Sequence, residues 1–125
     1  EKKQKYNNFE VNKGDILIAL SGATTGKIGI YNEEKISYLN QRIAKINVKD
    51  NKIFIQKYVY YVYILQELDK IVLNLAGGTA QPNISSIDLS KIKIPIPTIE
   101  TQKEIVEYCQ HLKNRFVHNF LECIH

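Results

Sequence analysis

The sequence predicts an α/β domain of the α+β kind: a small mixed, mostly antiparallel sheet, one packed helix, and a long C-terminal helix that protrudes. Three observations predict it. Short apolar runs separated by turn residues fill the first 50 residues. The hydrophobic period then changes from about two to about 3.6 near Phe54. No helix breaker occurs between Thr98 and His125.

Residues 1–10 are polar and lysine-rich, and read as a solvated lead-in or a strand lacking its partner. Val11 to Asp15 has turn character. Ile16 to Leu20 is a continuous apolar run that suits a strand buried on both faces. Ser21 to Gly26 is a Gly/Thr loop, and Lys27 to Tyr31 returns as the second arm of a hairpin-like pair. Asn32 to Lys35 is a solvated turn. Ala44, Ile46 and Val48 alternate with Lys45 and Asn47, as in a half-buried strand.

Phe54, Tyr58, Tyr61, Leu65, Leu68 and Val72 share one helical face, so a single packed helix is expected over about 53–72. Val59, Val62 and Ile64 widen that stripe, which favours packing on more than one side. Gly77-Gly78 closes the helical region, as glycine does at helix C-termini. Ser85 or Ser86 caps a one-turn helix through Leu89, and Ile92 to Ile96 reads as a strand that Pro95 and Pro97 confine to an edge or end. Thr98 is a suitable N-cap for the last helix, with Glu100 in its first turn. Ile105, Cys109, Leu112, Phe116, Phe120 and Cys123 form an apolar seam of heptad character, the pattern of a coiled coil.

With 125 residues and 44% hydrophobic composition, one core can form without disulfides. Cys109 and Cys123 are 14 residues apart on one helix. That separates them by about 20 Å, too far for a disulfide. They suit apolar packing in a reducing, cytoplasmic compartment. No apolar run is long enough to span a bilayer. The net charge of +4 is compatible with a polyanion partner but does not require one.

The motifs exclude several chemistries. Gly22-Ala23-Thr24-Thr25-Gly26-Lys27 has three residues between its glycines and Ile28 after the lysine. A phosphate-binding P-loop needs four residues there and a following Ser or Thr. The loop is either a tight turn or a backbone-contacting loop in which Thr24, Thr25 and Lys27 approach phosphates. His111, His118 and His125 recur every seven residues, wider than the i, i+3 or i+4 pairs that bind metal on helices. No Ser-His-Asp arrangement can be assembled, and the Asn-Pro-Pro-Tyr type motif of adenine methyltransferases is absent. Tyr58, Tyr60, Tyr61 and Tyr63 cluster at helical spacing, which favours core packing over a base-stacking platform. No catalytic residue, metal site or cofactor is expected.

The order Lys13-Gly14-Asp15-Ile16-Leu17-Ile18, Ser21-Gly22…Gly26-Lys27, Gly77-Gly78-Thr79-Ala80-Gln81-Pro82-Asn83-Ile84-Ser85, Ile92-Lys93-Ile94-Pro95-Ile96-Pro97 and Glu100-Thr101-Gln102-Lys103-Glu104-Ile105-Val106 resembles the target-recognition domain of type I restriction-modification specificity (S) subunits. The resemblance runs over about 11–105. It implies a non-catalytic reader of double-stranded DNA that directs modification (methyltransferase) and restriction subunits to one half of a split target.

Residues 1–98 would then be part of a recognition domain, and 99–125 the start of a spacer/dimerisation helix. The earlier strands of such a domain would be missing, which makes the chain a fragment or half subunit. Candidate DNA contacts are Thr24, Thr25, Lys27, Gln41, Arg42, Thr79, Gln81 and Asn83. Gln and Asn can hold adenine with two hydrogen bonds, and Arg can hold phosphate or guanine. For Gln81 and Asn83 a framework or phosphate role is preferred, because residues shared across a family that reads many targets cannot choose the base. Ile105, Cys109, Leu112, Phe116 and Phe120 would form the helix interface, open to self-association. Two rival readings remain: a protein-interaction module without a DNA role, and the recognition segment of a single-chain restriction-methyltransferase.

Overall fold

The computed structural model describes residues 9–77 and 82–124, with the side chains of the last helix described as far as Arg115. Among the described residues five short strands precede four helices. The strands are β1 (Glu10–Val11), β2 (Ile16–Ala19), β3 (Ile28–Ile30), β4 (Ser37–Tyr38) and β5 (Ile43–Ile46). The helices are α1 (Gln56–Leu65), α2 (Leu68–Leu75), α3 (Ser86–Leu89) and α4 (Ile99–Ile124).

β2 is the central strand of an antiparallel sheet ordered β3-β2-β5. Ile16 faces Ile30 on one side and Ile46 on the other. The expected β2–β3 hairpin is present. Burial alternates along β2: Ile16 and Ile18 are buried, Leu17 and Ala19 only partly. The strand is thus half-buried rather than enclosed on both faces. β1 has its partner in β4, a pair not foreseen in the sequence, with Glu10 opposite Tyr38. The Lys45 amine donates to the Glu10 carbonyl at 2.7 Å and ties the two sheets together.

Three local expectations need correction. The strand expected through Val48 stops at Ile46, because Gln56 Oε1 takes the Val48 N–H at 2.9 Å. The single helix expected over 53–72 is two helices, broken at Glu67, whose φ is +51°. The break lets one apolar sequence serve two cores. Tyr58 and Val62 of α1 pack on Val106 of α4, while Leu68 and Val72 of α2 pack with Ile18 and Ile84 near the sheet. Leu65, assigned to the buried stripe, lies beside the break and is 60% exposed.

The third correction concerns Ile92 to Ile96, which forms no strand. Pro95 and Pro97 lack N–H groups, so a ladder would lose donors there. Side chains satisfy this segment instead. The Tyr58 hydroxyl donates to the Pro95 carbonyl at 2.7 Å, and Gln102 Nε2 to the Pro97 carbonyl at 3.0 Å. Ile94 packs against both apolar clusters and so joins them.

The caps are where the sequence places them. Gly77 has φ +80° just beyond α2, a conformation that glycine adopts without strain. Ser85 and Asp88 form a reciprocal capping box on α3. The Ser85 hydroxyl and amide hold the Asp88 carboxyl below the usual carboxylate range. Thr98 Oγ1 accepts the Thr101 N–H at 3.3 Å at the start of α4.

Candidate nucleic-acid interface

The β2–β3 loop begins where Leu20 leaves the sheet. The Leu20 N–H donates to the Arg42 carbonyl at 2.8 Å, and its carbonyl accepts the Ile84 N–H at 2.8 Å. One residue therefore links three segments far apart in sequence. Ser21 bridges Asn83 in antiparallel fashion, and the Gly22 N–H donates to the Pro82 carbonyl at 3.2 Å. The result is an open cleft of about 480 Å³ lined by Ser21, Gly22, Arg42, Pro82 and Asn83.

Among the described residues that line the cleft, Arg42 is the cation and none is a carboxylate. The Arg42 side chain is exposed, and its guanidinium has no hydrogen-bond or ion-pair partner among the described residues. Its backbone is fixed by a bond from its N–H to Asn40 Oδ1 at 2.9 Å. A held backbone with an uncommitted guanidinium suits binding of an external anion or a guanine edge.

The structure distributes the remaining candidates unequally. Asn83 shares the cleft with Arg42. Gln41 is exposed beside Arg42 but does not line the cleft. Thr24 is exposed, and its carbonyl accepts the Lys27 N–H at 2.9 Å. Thr25 is only 4% exposed, and its hydroxyl donates to the Gly22 carbonyl at 2.7 Å, so its side chain holds the loop from within. Lys27 is exposed but lines a different cleft of about 390 Å³, which it shares with Glu67 and Asp69. Thr79 and Gln81 lie outside the described residues. Ser21, Gly22 and Pro82 were not singled out as site residues, and only the pairing of two distant loops reveals them.

Behind the loop, Gly26 is buried with φ +86°. A Cβ there would meet the Asp69 carbonyl at 3.0 Å. The Gly26 carbonyl accepts the Tyr63 hydroxyl at 2.5 Å. Burial, and then the charge of Asp69, push the Tyr63 phenol up to about 12. It therefore stays a donor across the physiological range.

The helix-interface residues also divide. Ile105 packs against the Tyr58–Val62–Val106 cluster, and Cys109 is buried. These two face α1 of the same chain rather than lying open to another helix. Burial pushes the Cys109 thiol up, which suits packing rather than nucleophilic chemistry. Leu112 is 46% exposed and every residue from His111 to Arg115 is exposed, while Leu112 and Lys113 still flank a cleft with Tyr60, Tyr61 and Ile64 of α1. Phe116 and Phe120 have side chains outside the described residues. Gln102, not singled out for a role, is fully buried against α1. Among the described residues no helix is long and apolar enough to cross a membrane.

Known proteins share this sequence pattern and fold. A family model described as the type I restriction modification DNA specificity domain matches residues 1–121. The chain is similar to the type I restriction enzyme MjaVIII specificity subunit of Methanocaldococcus jannaschii, with 33% identity over 114 residues covering 88% of this chain and 27% of that protein. It is 27% identical over 108 residues to the EcoBI specificity subunit of Escherichia coli, covering 86% of this chain and 22% of that protein.

In structure it resembles the type I restriction-modification S subunit from M. genitalium, with a TM-score of 0.72 and 22% identity over 88% of this chain and 28% of that one. It also resembles the HsdS subunit from Thermoanaerobacter tengcongensis, with a TM-score of 0.65 and 19% identity over 87% of this chain and 24% of that one. These structural likenesses concern the fold. The chain spans about a quarter of the length of these relatives. A family model that matches nearly the whole chain leaves the interaction-module reading unfavoured: the chain belongs to the type I restriction modification DNA specificity domain family.

Proposed function

We propose that this chain forms part of a target-recognition domain that reads one half of a bipartite DNA site, without performing chemistry itself. In this reading it belongs to a specificity subunit that brings modification and restriction subunits to DNA in the cytoplasm. Residues 1–98 supply the DNA-facing body, and α4 begins the spacer. The observation that carries this reading is the Arg42 cleft. Three distant segments converge to build it, its cation has no described partner, and none of its described lining residues is a carboxylate.

Within that cleft Arg42 contacts a phosphate, and Asn83 and the Ser21–Gly22 loop position the backbone. Lys27 is a secondary contact, because Glu67 and Asp69 share its cleft and would repel a polyanion. The test is binding of the chain and its Arg42→Ala variant to random and varied-sequence duplexes over a range of salt. A phosphate contact predicts loss of affinity on all sequences alike, with a salt slope shallower by about one. A loss confined to particular sequences would reassign Arg42 to a guanine edge. Equal binding by both proteins at low salt would remove Arg42 from the interface, and no binding by either would remove the DNA role from this chain on its own.

A further inference from the structure

We infer that Gln102 is a positioning residue, and that with Tyr63 it makes α1 a strut connecting the Arg42 cleft to the exit direction of α4. The Gln102 side chain is 0% exposed, yet its amide makes three hydrogen bonds. Its Oε1 accepts the Ile55 N–H at 2.8 Å. Its Nε2 donates to the Ile53 carbonyl at 2.7 Å and the Pro97 carbonyl at 3.0 Å. Ile55 is the N-cap of α1, so the amide grips the first turn of that helix. Its own side chain gives α1 no cap bond, and Gln102 supplies the partner for the Ile55 N–H from outside.

Apolar packing between two helices permits sliding and rolling, because it has little directionality. The two bonds to Ile53 and Ile55 hold α4 against the start of α1 in both azimuth and axial position, and the bond to Pro97 holds the segment that leads into α4. Val106 and Cys109 follow Gln102 at helical spacing, and both are buried like it. The second connection lies at the other end of α1. Tyr63, in its last turn, donates to the Gly26 carbonyl. Gly26 belongs to the loop whose Gly22 lines the cleft. A continuous path therefore runs from α4 through Gln102, α1, Tyr63 and Gly26 to the cleft.

The meaning of this strut for target reading rests on the proposed DNA role, but the strut itself does not. The test therefore contains no DNA. Spin labels on encoded unnatural residues replace Tyr38 in β4 and Arg115 in α4, both exposed, which leaves the cysteines untouched. Pulsed dipolar spectroscopy then reads the distance distribution between body and helix. A narrow distribution is expected for Gln102 and one at least twofold broader for Gln102→Leu, with the body still folded by circular dichroism. An equally narrow distribution at the same mean in Gln102→Leu would overturn the proposal.

If Gln102→Leu does not fold, hydrogen exchange on the unsubstituted chain decides. Protection of the Ile55 amide equal to that of the Val106 and Cys109 amides supports the latch. Exchange at Ile55 as fast as at exposed loop amides refutes it.

Discussion

The loop around the Arg42 cleft and the segment leading into α4 meet the same demand in opposite ways. Both are irregular backbone that must be held still. In the loop the main chain does most of the holding, and the one loop side chain that joins in, Thr25, is buried beneath it. The Gly22, Thr25, Gly26 and Lys27 N–H groups all donate to carbonyls within the loop, on β2 or on the facing Pro82. That leaves the side chains of Thr24, Lys27, Arg42 and Asn83 without hydrogen-bond partners among the described residues. In the segment before α4 the prolines remove donors, and the side chains of Tyr58 and Gln102 take over. A surface that must engage an outside partner keeps its side chains available by letting the backbone satisfy itself. A surface that must transmit geometry uses its side chains internally, where buried amide and hydroxyl groups have to be paired.

The largest expected effect comes from breaking the self-held loop. Gly26→Ala adds a Cβ at a φ of +86°, within 3.0 Å of the Asp69 carbonyl. The left-handed backbone penalty and the overpacking together cost about 3 kcal/mol. Denaturant unfolding should show that loss. Gly22→Ala, at similar φ but with nothing within 4 Å, should lose much less. Equal losses for the two would mean that the close approach to α2 contributes nothing.

A smaller effect should come from cutting the link between the two regions. Tyr63→Phe leaves the buried Gly26 carbonyl without its hydroxyl donor and costs about 1.5 kcal/mol. The same group gives a signature in alkali. The Tyr63 phenol is raised from 10.0 to about 12, so the unfolded chain releases this proton first as pH rises. Its contribution is complete below pH 10 and is lost as pH rises toward about 12. Stability measured against pH should therefore fall less steeply through this window in Tyr63→Phe than in the unsubstituted chain. Parallel curves would show that burial does not hold the phenol neutral.

The contrast between the two regions also explains what could be read from the sequence. The hairpin around Ser21–Gly26, the one-turn helix capped by Ser85 and the Thr98 start of α4 were legible because each depends on local turn or cap chemistry. Arg42 and Asn83 were legible as residue types, but their meeting across Leu20 is a long-range pairing that no local pattern encodes. The extended Ile92–Ile96 segment reads as a strand because alternating isoleucines look the same whether backbone or side chains satisfy the polar groups. Gln102 is hidden in the sequence for a related reason. A glutamine on a helix reads as solvated, and only the three backbone groups that surround it show why it is buried.

The smallest effect expected is a gain, at the turn where α1 hands over to α2. The 53–72 stripe has no glycine or proline to mark a break, yet Glu67 takes φ +51° and ψ +43°. A non-glycine residue in that region carries roughly 1–2 kcal/mol of strain. Glycine relieves the strain but loses about 0.5–1 kcal/mol through greater freedom in the unfolded chain. Glu67→Gly also removes the ion pair with Lys70 at 3.0 Å, but both side chains are well exposed and the pair is worth little. Because Glu67 is the N-cap of α2, glycine is also acceptable to the helix that follows. The net gain should be about 0.5 kcal/mol, read as a rise of about 2 °C in the thermal midpoint. A fall instead would mean that Glu67 holds its turn through interactions stronger than the strain it bears, and the break between α1 and α2 would then be set by that side chain rather than by the two cores pulling the helices apart.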